Sequence, residues 1–264
     1  MVEFPGSPRL LLVAPPKRVQ LAAGASVDAV MFDLERRGKA ARQRGFDTQV
    51  NRHGFATVRA GVARALVPVC VRINALGVRT AFELDQALDL GARSIMLPMA
   101  RSAAEVEQFL KLLNRRAEAI VQVETPSLMS APHDLVGLEW DQLYVGLNDL
   151  MVARGDGFLW QPLLDGSLER LCTALHPRRV GFGGLTVIGA GAPLPTITLM
   201  AEMLRLQASV TVLRRSFVRD VAGRDVVQEI GRIRTEFVRL SRDAAAREAL
   251  CAELQSRLRE LRGA

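Results

Sequence analysis

Short apolar runs alternate with stretches of helical periodicity along most of the chain. Continuous apolar runs rich in Val and Ile are typical of strands that are buried on both faces of a parallel sheet. Eight such runs predict strands at residues 10–14, 27–33, 69–74, 94–98, 119–124, 142–147, 179–184 and 209–213. Apolar residues at helical spacing predict helices over 80–90, 103–113, 163–175 and 195–206. This alternation predicts an α/β fold, a (β/α)8 TIM barrel.

The C-terminal part departs from the alternation. We expect a single barrel domain over 1–264, in which one long helical pattern from about 221 to 262 forms an extension. A first apolar set that ends at Leu240 fits packing on the chain's own barrel. A second set packs either on the same barrel or on a neighbouring subunit, and we favour the neighbour. It consists of Leu250, Leu254, Leu258 and Leu261. A homo-oligomer, a trimer or a hexamer, is expected.

Composition narrows the class of partner. The 35 Lys and Arg exceed the 28 Asp and Glu, giving a net charge of +7, but the basic residues are scattered and the chain has only one Tyr and two Trp. This pattern argues against nucleic-acid binding, and it fits an anionic small substrate or an arginine-rich composition equally well. The three Cys have no paired or metal-like spacing, which favours a cytoplasmic location. We expect no signal peptide and no contact with a membrane.

Carboxylates follow two of the predicted strands. Glu124 ends the run at 119–124, and Asp149 follows the next run and Gly146. Gln122 and Glu124 are two residues apart, so they point to the same side of their strand. Carboxylates at two strand ends can hold a hard divalent cation, Mg²⁺ or Mn²⁺, with positions open for substrate. The alternative is that each carboxylate is a helix N-cap or a surface charge.

Other polar residues also fall at the strand ends, which converge in a barrel. Charged side chains there are costly unless they are paired or bind a ligand. We expect Glu124 and Asp149 to hold the metal, Arg72 to stabilise an enolate, and a carboxylate to handle a proton. The candidates for the proton are Asp33 and Glu35. The predicted substrate contacts are Arg72, Asn74 and Gln122.

Five short motifs follow one another in barrel order. They are Asp33-Leu34-Glu35, Val71-Arg72, Leu97-Pro98-Met99, Gln122-Val123-Glu124-Thr125 and Gly146-Leu147-Asn148-Asp149-Leu150. Together they resemble the strand ends of the metal-dependent pyruvate aldolases and citrate lyase β subunits, the family of 4-hydroxy-2-oxoheptanedioate aldolase. The resemblance implies Glu124 and Asp149 as metal ligands and Arg72 as the enolate-stabilising residue. It also implies a last helix that packs on a neighbouring subunit.

The chain departs from this family at two positions. Arg36 stands where the aldolases have a His and the citrate lyases an Asp, and Met99 stands where the lyases often have a Lys. The proton-handling half of the site is therefore altered. His53, in the long basic segment after the second strand, is a candidate replacement, and the alternative is a solvated loop residue.

Glycines near the last two strands suggest an anion site. Residues 181–184 contain Gly183 and Gly184, residues 189–191 contain two more glycines, and Arg214 and Arg215 follow the eighth strand. Loops at this place in a barrel often bind phosphate, so Gly183 and Gly184 are further candidates for substrate binding. The alternative is that the glycines only form tight turns and the arginines are solvated.

The leading functional hypothesis is a divalent-metal-dependent carbon–carbon lyase, an aldolase, that acts on a 2-oxo acid or an acyl thioester. The substrate would be small and anionic, with or without a phosphate or coenzyme A group. Two alternatives are an acyl-thioester hydrolase on the same scaffold and a binding or regulatory barrel that has lost lyase chemistry.

Overall fold

A computed structural model of the protein describes residues 7–13, 27–36, 55–214 and 216–263. Eight parallel strands form a closed barrel in chain order, and β1 pairs with β8 to complete it. The predicted barrel is therefore confirmed, with strands one or two residues shorter than their apolar runs at most ends. The strands are β1 (Arg9–Val13), β2 (Ala29–Asp33), β3 (Val69–Arg72), β4 (Ser94–Leu97), β5 (Glu118–Val123), β6 (Gln142–Val145), β7 (Val180–Phe182) and β8 (Val210–Leu213).

Helices follow most of the strands and bury one apolar face each against the barrel. They are α1 (Phe55–Val62), α2 (Thr80–Asp89), α3 (Ala103–Leu113), α4 (Pro126–Met129), α5 (Leu147–Arg154), α6 (Gln161–Leu164), α7 (Ser167–Leu175), α8 (Thr196–Arg205), α9 (Phe217–Asp220), α10 (Val226–Arg242) and α11 (Ala244–Gly263), with a 3-10 turn at Pro132–Leu135. Within the described ranges, no helix has the length and apolar character needed to cross a membrane.

Local signals explain where two of these helices begin and end. Ser102 caps α3 by accepting a hydrogen bond from the backbone N–H of Glu105 at 3.3 Å, as its sequence pattern predicts. The helix predicted over 163–175 is instead divided into α6 and α7. Gly166 adopts a left-handed backbone with φ of 72°, and Asp165 accepts a hydrogen bond from the N–H of Ser167 at 2.8 Å. These two features end one helix and start the next.

The inside of the barrel is filled by an apolar layer. It consists of Leu11, Ala29, Met31, Cys70, Met96, Ile120, Val210 and Val212. Below this layer, Arg9 on β1 forms an ion pair with Glu118 on β5 at 2.7 Å. Because β1 and β5 lie on opposite sides of an eight-stranded ring, this pair spans the N-terminal end of the barrel. The functional residues are left to the opposite end, where the strands terminate.

The C-terminal extension packs on its own barrel. α11 lies against α8, with Leu254 and Leu258 fully buried and Leu250 and Leu261 packed at the edge of the same core. Our expectation that this leucine stripe packs on a neighbouring subunit is therefore wrong. The first apolar set, which ends at Leu240, is buried on the barrel as predicted.

The long helical pattern is broken at Asp243, between α10 and α11. Asp243 has φ of −110° and ψ of 85°, outside the helical region, and ends α10. Its carboxylate then accepts a hydrogen bond from the N–H of Ala246 at 2.9 Å and caps α11. The chain turns at this residue, so that α11 lies along α8. A homo-oligomer stays a prediction, but the leucine stripe no longer supports it.

Candidate active site at the strand ends

A cavity of about 520 Å³ opens at the C-terminal ends of the strands. On one side its walls carry acidic side chains and Arg72 from β2, β3, β5 and the start of α5. On the other side they carry small and apolar residues from β6, β7 and β8, with Arg214 and Arg219 after β8. Of the predicted site residues, those that line it are Asp33, Arg72, Gln122, Glu124, Asp149, Gly183 and Gly184. The structure therefore brings seven of the nine predicted residues to one cavity.

Arg72 is fixed by a two-point contact with Asp33. Its Nε and Nη2 donate to the two carboxylate oxygens of Asp33 at 3.0 and 2.7 Å, and both residues are buried. Burial alone would lower the pKa of Arg72, but the charge of Asp33 and its acceptance of these bonds, with Glu124 and Glu35 further off, raise that pKa above its ordinary value. Arg72 is thus a permanent cation held in one orientation.

A chain of hydrogen bonds runs from Arg72 to Glu124. Arg72 Nη1 donates to Gln122 Oε1 at 3.2 Å, and Gln122 Nε2 donates to Glu124 Oε1 at 2.5 Å. The other oxygen of Glu124 accepts the backbone N–H of Met99 at 3.2 Å. Met99 has a left-handed backbone with φ of 56°, which is uncommon for a residue with a side chain. The backbone of Met99, not its side chain, therefore contributes to this site.

The surroundings of Glu124 disfavour the negative charge of its carboxylate. Burial, and next the negative charge of Asp149, raise the pKa of Glu124 well above its ordinary value, although Arg72 opposes the shift. A buried carboxylate whose ionisation a second carboxylate disfavours is a site whose charge a divalent cation would compensate. In the part of the chain that the structure describes, no three His, Cys, Asp or Glu side chains are grouped to hold a metal. A cation here would have two protein carboxylates and several positions for water and substrate, which fits Mg²⁺ or Mn²⁺.

Gly146 provides the space for this arrangement. A Cβ atom at this position would lie 2.5 Å from Glu124 Oε1, 2.6 Å from Glu124 Cγ and 2.7 Å from Gln122 Nε2. These distances are far below an ordinary contact, so only glycine lets β6 approach the two side chains so closely.

Two predicted site residues do not line the cavity. Glu35 is completely buried, with its carboxylate 3.6 Å from Arg72 Nη2. The side chain of Asn74 accepts the backbone N–H of Arg36 at 2.8 Å and donates to Glu83 at 3.1 Å. Asn74 therefore braces the exit of β2 against α2. His53 and Arg215 lie outside the described residues.

The glycines after β7 have two different roles. Gly183 and Gly184 line the cavity, where a Cβ atom on Gly183 would lie 2.2 Å from the hydroxyl of Tyr144. Gly189 and Gly191 have positive φ angles of 81° and 110° and do not line it. For this second pair the alternative of a tight turn fits the structure better than the phosphate site.

A larger groove of about 720 Å³ lies on the outside of the barrel between α4 and α7. Within its lining Arg154 and Asp165 already pair with each other, and Glu169 pairs with Arg205. None of the predicted site residues lines it. We therefore take the cavity at the strand ends as the candidate site.

The fold and the site together define the class, a (β/α)8 barrel with paired buried acids and a fixed arginine at its mouth. Residues 11–134 match the model of the HpcH/HpaI aldolase/citrate lyase family. The predicted family resemblance is thereby confirmed over this segment, which contains Arg72 and Glu124; Asp149 follows it. No curated protein matches the chain in sequence.

Solved structures of the same family have the same barrel. An HpcH/HpaI aldolase from Desulfitobacterium hafniense is 17% identical, with a TM-score of 0.63 over 81% of this chain and 90% of its own. A family protein from Burkholderia cenocepacia is 18% identical, with a TM-score of 0.61 over 86% and 95%. Protein CitE from Mycobacterium tuberculosis, in complex with magnesium and pyruvate, is 20% identical, with a TM-score of 0.60 over 89% and 92%. At these identities the likeness is one of fold.

Sequence reasoning missed the supporting residues of the site. The backbone N–H of Met99, the space at Gly146 and the hydroxyl of Tyr144 all act within the cavity or on its walls. Of these, only Gly146 left a signal, as a glycine directly after a strand and shortly before an acid. The N–H of Met99 depends on where the backbone turns after β4, and the Tyr144 hydroxyl depends on the space left at Gly183 beside the neighbouring strand β7.

Proposed function

We propose that the protein is a divalent-metal-dependent carbon–carbon lyase, an aldolase, that acts on a 2-oxo acid or an acyl thioester through an enolate. The observation that carries the proposal is the pair of buried carboxylates, Glu124 and Asp149, in one cavity with the fixed cation of Arg72. The family match over residues 11–134 supports an aldolase or lyase. The magnesium and pyruvate in the CitE complex support the choice of metal and of a 2-oxo acid.

Glu124 and Asp149 would hold the cation, which supplies Lewis-acid polarisation of the oxo acid when it is bound. Arg72 has the second role. Its guanidinium is oriented before substrate arrives, since Asp33 engages it at two points and Gln122 at a third. A preoriented cation at the cavity wall stabilises the negative charge that develops on an enolate oxygen without reorganising.

Asp33 acts in this scheme as a positioning residue for Arg72, because both of its oxygens accept bonds from the guanidinium. The proton would then be moved by another group or through water. Glu35 and His53 stay candidates for that role, and so does Asp33 through water.

A second candidate function is a binding or regulatory barrel that keeps the cavity but not the lyase chemistry. Arg36 occupies the position of the family's acid–base residue, and its backbone N–H contacts Asn74 instead of the cavity. This arrangement favours loss of proton handling with retention of metal and oxo-acid binding. An acyl-thioester hydrolase has no specific observation in its favour.

The deciding experiment is deuterium exchange into the methyl group of pyruvate, followed by NMR in the presence of Mg²⁺ or Mn²⁺. An aldolase of this type exchanges the methyl protons, and the variant Glu124→Gln does not. Glu118→Gln is the matched control, because Glu118 lies at the opposite end of the barrel. Absence of exchange from the wild-type protein, together with measurable binding of Mg²⁺ and pyruvate, would contradict the lyase and support the binding barrel.

A further inference from the structure

Tyr144 is the only tyrosine of the chain, and its side chain lies on the inner side of β6. Its ring packs on the apolar layer that fills the barrel, and the residue is half-buried in the lining of the strand-end cavity. The hydroxyl of a buried or half-buried tyrosine usually has a polar function, because the ring is apolar and only its tip is polar. A phenol group is thus held at the cavity by the packing of its ring.

The neighbouring strand β7 leaves room for this ring. Gly181 and Gly183 take the inward-facing positions of β7 and its end, because the alternate side chains pack outward in the core beneath the helices. Gly181 is the register partner of Tyr144. A Cβ atom on Gly183 would lie 2.2 Å from the Tyr144 hydroxyl. A side chain at position 183 would therefore displace the hydroxyl, and the glycine allows it to lie where it does.

Tyr144 also stands beside the hydrogen-bonded network of the site. Its register partner on β5 is Gln122, whose amide group links Arg72 to Glu124. Gly146, two residues further along β6, is the position that these amide and carboxylate groups approach most closely. The phenol is therefore next to the part of the cavity where the 2-oxo acid would bind, a placement that rests on the proposed function.

Few described side chains of the cavity lining can pass a proton to a carbon atom. Asp33 engages a guanidinium with both of its oxygens, and Glu124 and Asp149 are the proposed ligands of the cation. The arginines of the lining stay protonated. Two hydroxyl groups remain, those of Tyr144 and Ser216. A phenol gives up its proton far more readily than an alcohol does, and tyrosine is among the residues that serve as general acids and bases.

We propose that Tyr144 is a catalytic residue that carries the proton to and from the methyl carbon of pyruvate. After cleavage, the electron pair of the enolate double bond takes the phenol proton and forms the new C–H bond. The O–H bond of Tyr144 breaks, the carbonyl of pyruvate forms again, and the negative charge passes to the phenolate.

The phenolate regains a proton from solvent, which balances the proton that the hydroxyl group of the substrate gives up. The reverse transfer forms the enolate from pyruvate and exchanges its methyl protons with solvent. The candidates Asp33, Glu35 and His53 stay available for the other proton, that of the substrate hydroxyl.

Two reactions in the presence of Mg²⁺ separate this role from stabilisation of the enolate. Exchange of the methyl protons of pyruvate in D₂O needs a base at carbon, whereas decarboxylation of oxaloacetate forms the same enolate by loss of CO₂ and needs no base. Both are followed by NMR, and the rates in Mg²⁺ without protein are subtracted. We expect Tyr144→Phe to slow exchange by about 100-fold or more, the usual contribution of a general acid or base, and decarboxylation by less than about threefold.

Three further variants identify the group responsible. Gly183→Ala should also slow exchange more than decarboxylation, because the new methyl group displaces the hydroxyl without removing it. Ser216→Ala is the matched control, since it removes the other hydroxyl of the lining, and both rates should stay unchanged. Arg72→Lys should slow both reactions, because both pass through the enolate.

Binding of pyruvate gives a measurement that does not depend on turnover. Since the chain has one tyrosine, ¹³C at the ζ carbon of tyrosine gives a single NMR signal. We expect this signal to move when pyruvate binds in the presence of Mg²⁺, because the hydroxyl then contacts the ligand. Calorimetry should show that Tyr144→Phe binds Mg²⁺ and pyruvate as the wild-type protein does.

The outcomes distinguish this role from the proposed function. A folded Tyr144→Phe protein that exchanges the protons like the wild type overturns the role of Tyr144 alone. The same conclusion follows when exchange, decarboxylation and pyruvate binding fall together in this variant, or when the tyrosine signal does not move. A wild-type protein that does not exchange the protons of pyruvate contradicts the aldolase and this role with it.

Discussion

Replacement of Gly146 by Ala tests the proposed metal site by geometry instead of by charge. The new methyl group would lie 2.5 Å from Glu124 Oε1 and 2.7 Å from Gln122 Nε2. Ordinary contacts of a Cβ atom begin near 3.4 Å, so the Glu124 carboxylate has to retreat by about 0.9 Å to restore one. The backbone of Gly146, with φ of −88°, is accessible to Ala and adds no strain of its own.

The expected effects follow from this displacement. Metal–ligand distances tolerate changes of about 0.2 Å, so we expect the affinity for Mg²⁺ to fall by roughly 10–100-fold, the loss typical of disturbing the support of a ligand. Overpacking a close contact costs about 1–3 kcal/mol of the free energy of unfolding. At about 2–4 °C per kcal/mol for a domain of this size class, the melting temperature should fall by several degrees.

The assay is calorimetric titration with Mg²⁺, joined to thermal unfolding in EDTA. Gly231→Ala in α10 is the matched control, because a Cβ atom there meets nothing within 4 Å. That control should bind Mg²⁺ normally and gain about 0.5–1 kcal/mol from the better helix former. A Gly146→Ala protein that is destabilised as expected but binds Mg²⁺ like the wild type would refute Glu124 as a ligand.

Three further predictions concern Glu124, Arg72 and Leu258. Burial and Asp149 raise the pKa of Glu124, so the metal-free fold holds a proton that the unfolded chain releases, and its stability should fall as pH rises above the ordinary value of 4.5. Glu124→Gln should remove that fall in EDTA and abolish Mg²⁺ binding; an unchanged pH profile or unchanged Mg²⁺ affinity would contradict this. Arg72→Lys should lose most pyruvate exchange while staying folded by circular dichroism, because Lys keeps the charge beside Asp33 but not the two-point contact; an unfolded variant would mean a structural role only. Leu258→Ala should cost about 2–5 kcal/mol in denaturant unfolding, since this side chain is fully buried; a neutral result would mean that α11 does not cover its own barrel.

The fold could be predicted because the signal is local and repeated. Each strand is a short run of buried apolar residues, and eight such runs between helices leave few arrangements other than a closed parallel barrel. The extension shows where this reasoning stops. The spacing of Leu250, Leu254 and Leu258 identifies one helix face, but not the surface that covers it. That surface was decided by the backbone of Asp243, a single residue whose capping of α11 depends on three-dimensional context.

The sequence predicted which residues lie at the site, but not which hydrogen bonds connect them. Strand ends converge in any barrel, so Arg72, Glu124 and Asp149 were expected at one face. Their partners depend on side-chain directions that leave no periodic trace in the sequence. Asp33 engages one edge of the Arg72 guanidinium through Nε and Nη2, and Asn74 braces the exit of β2 against Glu83. Arg214 was predicted as part of an anion site after the eighth strand, with a solvated surface charge as the alternative. Its half-buried place in the cavity wall depends on closure of the ring, which the sequence does not show.

The filled interior of the barrel has a consequence for the order in which molecules depart. Leu11, Met96 and Ile120 fill the inside of the barrel, and the Arg9–Glu118 ion pair lies at its N-terminal end. The barrel is therefore closed at that end. Whatever enters at the strand ends must leave by the same route. In the proposed reaction, a product fragment beside the buried Glu124 therefore has to leave through the mouth by which the substrate entered, and its slow release would delay each round of turnover.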